Sequence, residues 1–352
     1  MMQTHLTARH FPEPQKPDTA LIQLCLILDV SGSMEGLLYQ AQTQVWGLMD
    51  YVQSFRRRSK ETVVEVALIT VGNGAMYEGQ HYMDLVSPFT PDRNALADQL
   101  FLLKIEGSSE QYGKAISLAL DSLTWHDKSE LKSIIVLGNE SFDQGDTDYK
   151  EITTEAAKRG ILVNTIFCGE ETIGIEEHWL HASELGKGAY AYIDQTAHAN
   201  RETPFDRQIF RLYNKYLLSY GDSSLVRAAK KLKGDQISPA YRDMLFYRLD
   251  HQKQEKDIID RFEESEWDLN RIDPEYIPEA LKQLGDRGLK EYLVKKAQER
   301  NNARDGLKVY RDKINGYIQV KSSGDSGDKN LKDAVEEILG KQLKAKRFKR
   351  AK

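Results

Sequence analysis

The chain has 352 residues, enough for two domains of ordinary size, and its 40% hydrophobic and 29% charged residues allow a packed core under a well-charged surface. A formal net charge of −5 excludes a global field suited to nucleic acid or an anionic membrane. Two cysteines, Cys25 and Cys168, each inside an apolar run, exclude a disulfide framework, and no CxxC or Cys/His cluster suggests zinc.

Residues 1–18 are polar, carry Pro12, Pro14 and Pro17, and read as a flexible N-terminal arm. They lack the cationic-then-apolar order of a secretory signal, and no apolar run approaches the ~18 residues of a membrane span. The expected location is therefore cytoplasmic, with export the alternative should a signal lie outside this sequence.

Leu21 to Leu28 is an apolar run that fits a strand buried on both faces, and Asp29 to Gly36 breaks it. Leu37 to Phe55 follows with helical spacing, Leu38, Val45, Leu48, Met49 and Val52 forming one face. Val63 to Val71 is a strand. Gly72 to Ala75 is a turn-rich loop and Tyr82 to Phe89 a return strand. Helices are expected from Pro91 to Leu103 and from Gln111 to Leu123. Then come a strand at Ser133–Leu137, a helix at Tyr149–Arg159, a strand at Ile161–Phe167, a helix at Ile175–Leu185, a strand at Ala189–Ile193 and a helix at Phe205–Ser219.

This alternation predicts an α/β fold with a doubly wound, mostly parallel, Rossmann-like sheet over residues 19–220. Such sheets bind ligands beyond the carboxyl ends of their strands, where strand order reverses. That points to the loops after Leu28, Leu103 and Leu137. After Gly221 buried-strand runs vanish, and residues 221–321 form a charged, mainly helical region. Its expected helices are Ser223–Leu232, Ala240–Phe262, Ile277–Leu284 and Arg287–Lys321. Their apolar stripe, including Leu281, Leu284, Leu289, Tyr292 and Leu293, is narrow and needs a surface to pack on. Residues 322–352 read as a flexible linker around Gly324-Asp-Ser-Gly-Asp, a short helix at Leu331–Leu343 and a mobile basic tail.

The residues that carry chemistry are Asp29-Val-Ser31-Gly-Ser33. One carboxylate and two hydroxyls at alternate positions, between a buried strand and a helix, are hard oxygen ligands. They suit Mg²⁺, with Mn²⁺ or Ca²⁺ as alternatives. The competing reading is that Ser33 caps the helix with no metal involved.

In this setting the segment LCLILDVSGS resembles the von Willebrand factor A family and its metal-ion-dependent adhesion site. That resemblance implies two further ligands. A threonine is expected from a second loop, where this chain has Glu110, with Ser108 and Ser109 beside it. An aspartate is expected after the fourth main strand, where this chain has Asn139. A carboxylate is thus lost at Asn139 and gained at Glu110. A coordinating Glu110 would neutralise the ion more fully and leave it a weaker acceptor for a partner's carboxylate; alternatively, Glu110 faces solvent or caps its own helix. GSSEQYG, GNESFDQG, ILVNTIFCG and the tail pieces EYLVKKAQER and YRDKINGYI are similar to a bacterial subgroup of these proteins. What the family implies is a non-enzymatic, metal-dependent module that binds a protein partner presenting an acidic group. A scaffold with a structural or vestigial metal site, or a metal-assisted hydrolase, is the alternative.

Four further features have plainer readings. His178 and His181, near Glu176 and Glu177, read as structural. Asn73 to Gly79 lacks the ending of a P-loop and reads as a hairpin loop, from which Tyr77 and Glu78 could reach a partner. Lys341 to Lys352 has seven basic residues in twelve and reads as a solvated tail, leaving nucleic acid open. No HExxH, GxSxG or Walker lysine is present, so an enzyme is not expected.

Overall fold

The computed structural model describes residues 19–58, 60–72, 83–103, 105, 107, 110–194, 203–218, 242, 245–246, 249, 258–321 and 330–351. The hairpin loop with Tyr77 and Glu78, the serines at 108 and 109, the N-terminal arm, and the expected helix Ser223–Leu232 lie outside them.

The first strand, β1 (Ala20–Asp29), alternates its buried side chains between two cores: Leu24, Leu26 and Leu28 face one, Cys25 and Ile27 the other. A strand buried on both faces must sit inside a sheet covered by helices on both sides. It does: β3 (Thr62–Val71) and β5 (Leu131–Gly138) flank it, both parallel. Outward from β3 lies β4 (Met83–Thr90), antiparallel; outward from β5 lie β6 (Leu162–Phe167) and β7 (Lys187–Tyr192), both parallel. The sheet order is therefore β4-β3-β1-β5-β6-β7. The chain leaves β1 in one direction and returns on its other side at β5, so strand order reverses there.

Helix α1 (Glu35–Gln53) and helix α2 (Arg93–Leu102) pack on one face of the sheet, joined by α7 (Asp206–Leu218). On the other face lie α3 (Tyr112–Ser122), α4 (Tyr149–Lys158) and α6 (Trp179–Leu185). The single helix expected over 175–185 is two helices, α5 (Glu171–Glu176) and α6, because His178 adopts a left-handed backbone with φ of 70°. The break seats the buried Trp179, whose indole donates to Glu140 O at 2.8 Å.

The helical region is built around one long helix. A short α8 (Ile258–Glu264) and a one-turn α9 (Glu279–Lys282) pack on the first half of α10 (Gly285–Lys321). There Ile259, Phe262, Ile272, Leu289, Leu293 and Ala297 form a small core of their own. Further along, Ala303, Leu307 and Ile314 join the main core, and Phe205 meets the rings of Tyr310 and Tyr317. Leu284, expected in the buried stripe, is 46% exposed.

The expectation that the C-terminal helix and basic tail are mobile is corrected, while the expected linker over 322–329 lies outside the described residues. Helix α11 (Leu331–Ala345) lies along α1, with Leu331, Val335, Ile338, Leu339 and Leu343 buried in the main core. Those residues recur at helical spacing, so docking removes a complete apolar stripe from water, each side chain contributing about 1.5–3 kcal/mol. Gln40 and Gln44 of α1 accept from the backbone N–H groups of Leu331 and Lys332, at 2.8 and 2.6 Å, satisfying amides that a helix start leaves free. Beyond α11, Phe348 is buried, and a two-residue strand β8 (Lys349–Arg350) pairs antiparallel with β2 (Phe55–Arg56). The basic tail is thus anchored by its one aromatic residue.

Candidate metal-binding site at the head of the sheet

Asp29 is the last residue of β1 rather than part of the following loop, and it is fully buried. Its Oδ1 accepts the Ser31 backbone N–H at 2.8 Å, the turn by which an aspartate bends the chain two residues on. Its Oδ2 accepts the Tyr112 hydroxyl at 2.7 Å. Gly72, at the end of β3, closes the space behind. Its φ is +81°, and a Cβ there would lie 2.9 Å from Ser31 N and 3.1 Å from Asp29 Oδ1. A side chain at that position would push the carboxylate out of place.

Ser31 Oγ lies 3.4 Å from Ser33 Oγ. Ser33 Oγ in turn meets the Asn139 side chain, 3.1 Å from Nδ2, which donates, and 3.2 Å from Oδ1. Asn139 stands just beyond the end of β5, so the site spans the point where strand order reverses. Ser33 does not cap α1. The N-cap residue is Met34, with no side-chain cap hydrogen bond. The hydroxyl that would have served a helix cap is turned across the sheet end toward Asn139.

Glu110 is buried, 6% exposed, just before α3. It does not face solvent, and its negative charge acts on the Tyr112 hydroxyl. The helix N-cap is Gln111, without a side-chain cap bond. Asp29, Ser31, Ser33 and Asn139 are therefore linked by direct contacts, and Glu110 lies beside them, buried near Tyr112.

Burial pushes the Asp29 carboxyl above its ordinary range; hydrogen bonds from Tyr112 and Ser31 pull it partly back, and Glu140 raises it further. The Tyr112 hydroxyl is held well above its usual range by its own burial and by the negative charge of Asp29. It therefore stays protonated and donating. The charges that act most on this pair among the described residues are negative: Glu140 on Asp29, Asp29 and Glu110 on Tyr112. The electrostatic complement of such a cluster is a cation. Among the described residues, no three His, Cys, Asp or Glu side chains converge as a metal-holding group. The donor set is instead one carboxylate with two hydroxyls and an amide, all hard oxygens. It fits an ion that keeps several waters and takes one or two protein carboxylates.

Tyr112 is the residue that sequence reading missed. It stands inside GSSEQYG, next to Gly113, where an aromatic residue reads as ordinary core. Its position is fixed by stacking on Phe142 and edge contact with Trp179. It is also fixed by Gly138, where a Cβ would lie 2.1 Å from its hydroxyl oxygen. His178 and His181 have other partners: His178 Nε2 lies 3.5 Å from Asp143 Oδ2, and His181 Nδ1 is 2.9 Å from the Tyr149 hydroxyl.

A central β1 between parallel β3 and β5, an antiparallel edge strand, and DxSxS at the carboxyl end of β1 decide the fold. The fold is that of a von Willebrand factor A domain. No family model and no curated protein matches this chain. Solved structures resemble about half of it. The conserved hypothetical protein BatB from Bacteroides thetaiotaomicron is 18% identical with a TM-score of 0.39, covering 49% of this chain and 90% of that one. The SpRpn10 VWA domain is 14% identical with a TM-score of 0.38, covering 49% and 87%. Proximal thread matrix protein 1 from the mussel byssus, with a zinc-occupied MIDAS motif, is 11% identical with a TM-score of 0.35, covering 49% and 42%. At such identities and scores the A-type assignment stands on strand order and site placement, not on overall likeness. Among the described residues no helix is long and apolar enough to cross a membrane.

Proposed function

We propose that this chain is a non-enzymatic protein-binding module whose A-type domain recognises its partner through a divalent cation. Mg²⁺ is the first choice, with Mn²⁺ or Ca²⁺ as alternatives. Asp29, Ser31 and Ser33 would hold the ion, with Asn139 and Glu110 completing its surroundings. When bound, the ion supplies a positive anchor for an acidic group of the partner. The observation that carries this reading is the turned hydroxyl of Ser33, which serves no helix cap and instead joins Ser31 and Asn139 beside a buried carboxylate. The chain's own part is to hold those oxygens in place. Tyr112 and the Ser31 amide orient the Asp29 carboxylate, and the Asn139 amide orients Ser33. The sequence offers no paired nucleophile and general base beside the site, which favours binding over catalysis.

The first half of α10, with its separate small core, supports a scaffold role alongside the metal site: a second component would dock there. The test is affinity capture with the full chain in Mg²⁺, in EDTA, and in EDTA followed by Mg²⁺. The proposal expects a partner retained in Mg²⁺, released by EDTA and recovered on re-addition, and absent when Asp29→Asn is the bait. An identical set of retained proteins in all three conditions would remove metal dependence.

A further inference from the structure

Next to Asn139 the surface changes character. Residues 139–148 (NESFDQGDTD) and 170–177 (EETIGIEE) are loops and a short helix that follow β5 and β6. They lie against each other: Phe142 N donates to Glu177 O at 3.0 Å and Trp179 Nε1 to Glu140 O at 2.8 Å. Together they carry Glu140, Asp143, Asp146, Asp148, Glu170, Glu171, Glu176 and Glu177, and neither contains a lysine or arginine. Among the described residues none of these carboxylates is ion-paired to a lysine or arginine; Asp143 lies 3.5 Å from His178 Nε2 and accepts the Ser141 hydroxyl at 2.8 Å.

Inside this acidic rim two large apolar side chains are exposed. Ile173 and Ile175 of α5 are each 44% exposed. Between them Gly174 is buried, and a Cβ there would lie 2.3 Å from the Tyr190 hydroxyl and 2.7 Å from Phe167 Cγ. Helical geometry places each isoleucine about 100° round the axis from Gly174. The glycine therefore presses the helix onto the sheet end while the isoleucines emerge on its two flanks. A segment laid over α5 would touch both and pass between the carboxylates.

We propose that α5 and the loop after β5 form a docking surface for a basic amphipathic segment of a protein partner. Its apolar side chains would cover Ile173 and Ile175, and its lysines or arginines would meet the surrounding carboxylates. The charge pattern selects this occupant. Like charges across an interface repel over about a Debye length, roughly 8 Å at physiological salt, so an acidic or neutral apolar segment gains less here. The inference rests on the reading that the strand-end rim faces the partner, but it does not need the ion. It sharpens the partner's description: the acidic group that reaches the metal is carried by a chain that is basic alongside.

The test uses the full chain and an amidated leucine/lysine amphipathic peptide as probe, with a leucine/glutamate peptide as control, in Mg²⁺ and in EDTA. Binding is followed by fluorescence anisotropy and by amide NMR shifts. The expected result is binding of the lysine peptide only, equal in EDTA, weakened by salt, with shifts confined to 139–148 and 170–177. Ile173→Ser/Ile175→Ser should weaken it about tenfold, a loss of about 1.4 kcal/mol. These positions are exposed, so the double variant should keep the wild-type melting temperature. Equal binding by the double variant, or shifts centred elsewhere, would reduce the effect to unspecific charge attraction and overturn the proposal. Self-association of the chain in sedimentation that the double variant abolishes would assign the surface to a second copy and overturn it as well. Absence of metal binding by the wild type with an intact lysine-peptide response would fail the metal reading and leave this one standing.

Discussion

The Tyr112 hydroxyl donates to Asp29 Oδ2 at 2.7 Å across a sequence separation of 83 residues, joining the head of α3 to the carboxyl end of β1. Both groups are buried, so the bond settles where the carboxylate points. Tyr112→Phe leaves that oxygen without its donor, at an expected cost of about 1–3 kcal/mol, and lets the carboxylate swing. Chemical denaturation should show that loss, and metal affinity should fall with it. Gly138→Ala should have the same effect without touching either residue, since its Cβ would occupy the hydroxyl's position. Wild-type stability in both variants would show that the bond is incidental.

The docked C-terminal helix makes a second expectation. Ile338 and Leu339 are buried against α1, so Ile338→Ala should destabilise the A-type domain by about 2–5 kcal/mol, as for other core truncations. Protease cleavage between 322 and 330 should leave residues 331–351 bound to the rest on a sizing column. A released C-terminal fragment with an unchanged melting temperature would restore the picture of a free tail.

Asn164 ties the layers together. Its Nδ2 donates to Ser133 Oγ at 2.7 Å, and its Oδ1 accepts from Ala189 N at 2.9 Å and from Gln342 Nε2 at 2.7 Å. Asn164→Ala strands the buried Ser133 on β5 and the part-buried Ala189 amide on β7 and loosens α11. A loss of about 1–3 kcal/mol is expected, with faster amide exchange in α11 than elsewhere. Uniform exchange across the chain would mean that Gln342 contributes nothing to docking.

Burial alone pushes the Cys25 thiol far above its ordinary range; for Cys168, burial leads and the charge of Asp29 adds to it. Neither forms thiolate at neutral pH in the native state. Both should resist alkylation until the chain unfolds, and the alkylation rate should follow global unfolding. Rapid labelling of Cys168 in folded protein would place a local opening beside the site.

Much of this was legible in the residues. The two-faced apolar run of β1 and the DxSxS after it announced a buried central strand with a carboxylate and two hydroxyls at its carboxyl end. What the sequence concealed were contacts made at a distance. Tyr112 looks like any aromatic core residue until its hydroxyl is seen against a carboxylate from another strand. The left-handed turn at His178 breaks an apolar pattern that reads as one helix. At the C-terminus, the Gly-Asp-Ser-Gly-Asp break and the basic residues suggested a loose tail. The stripe Leu331, Val335, Ile338, Leu339, Leu343 was already the signature of a face needing cover, and α1 supplied it.

The central claim is that the head of the sheet holds a divalent cation, and calorimetric titration of the full chain with Mg²⁺ and Mn²⁺, against Asp29→Asn, tests it most directly. Asparagine keeps an acceptor for the Ser31 amide and removes a charge that burial disfavours. Its amide nitrogen takes the place of the oxygen that accepts the Tyr112 hydroxyl, which can turn to accept instead, so the variant should stay folded and melt in EDTA close to the wild-type temperature. The account predicts saturable binding of one ion by the wild type and none by this folded variant. Equal heats from the two proteins, or no heat from either, would contradict it.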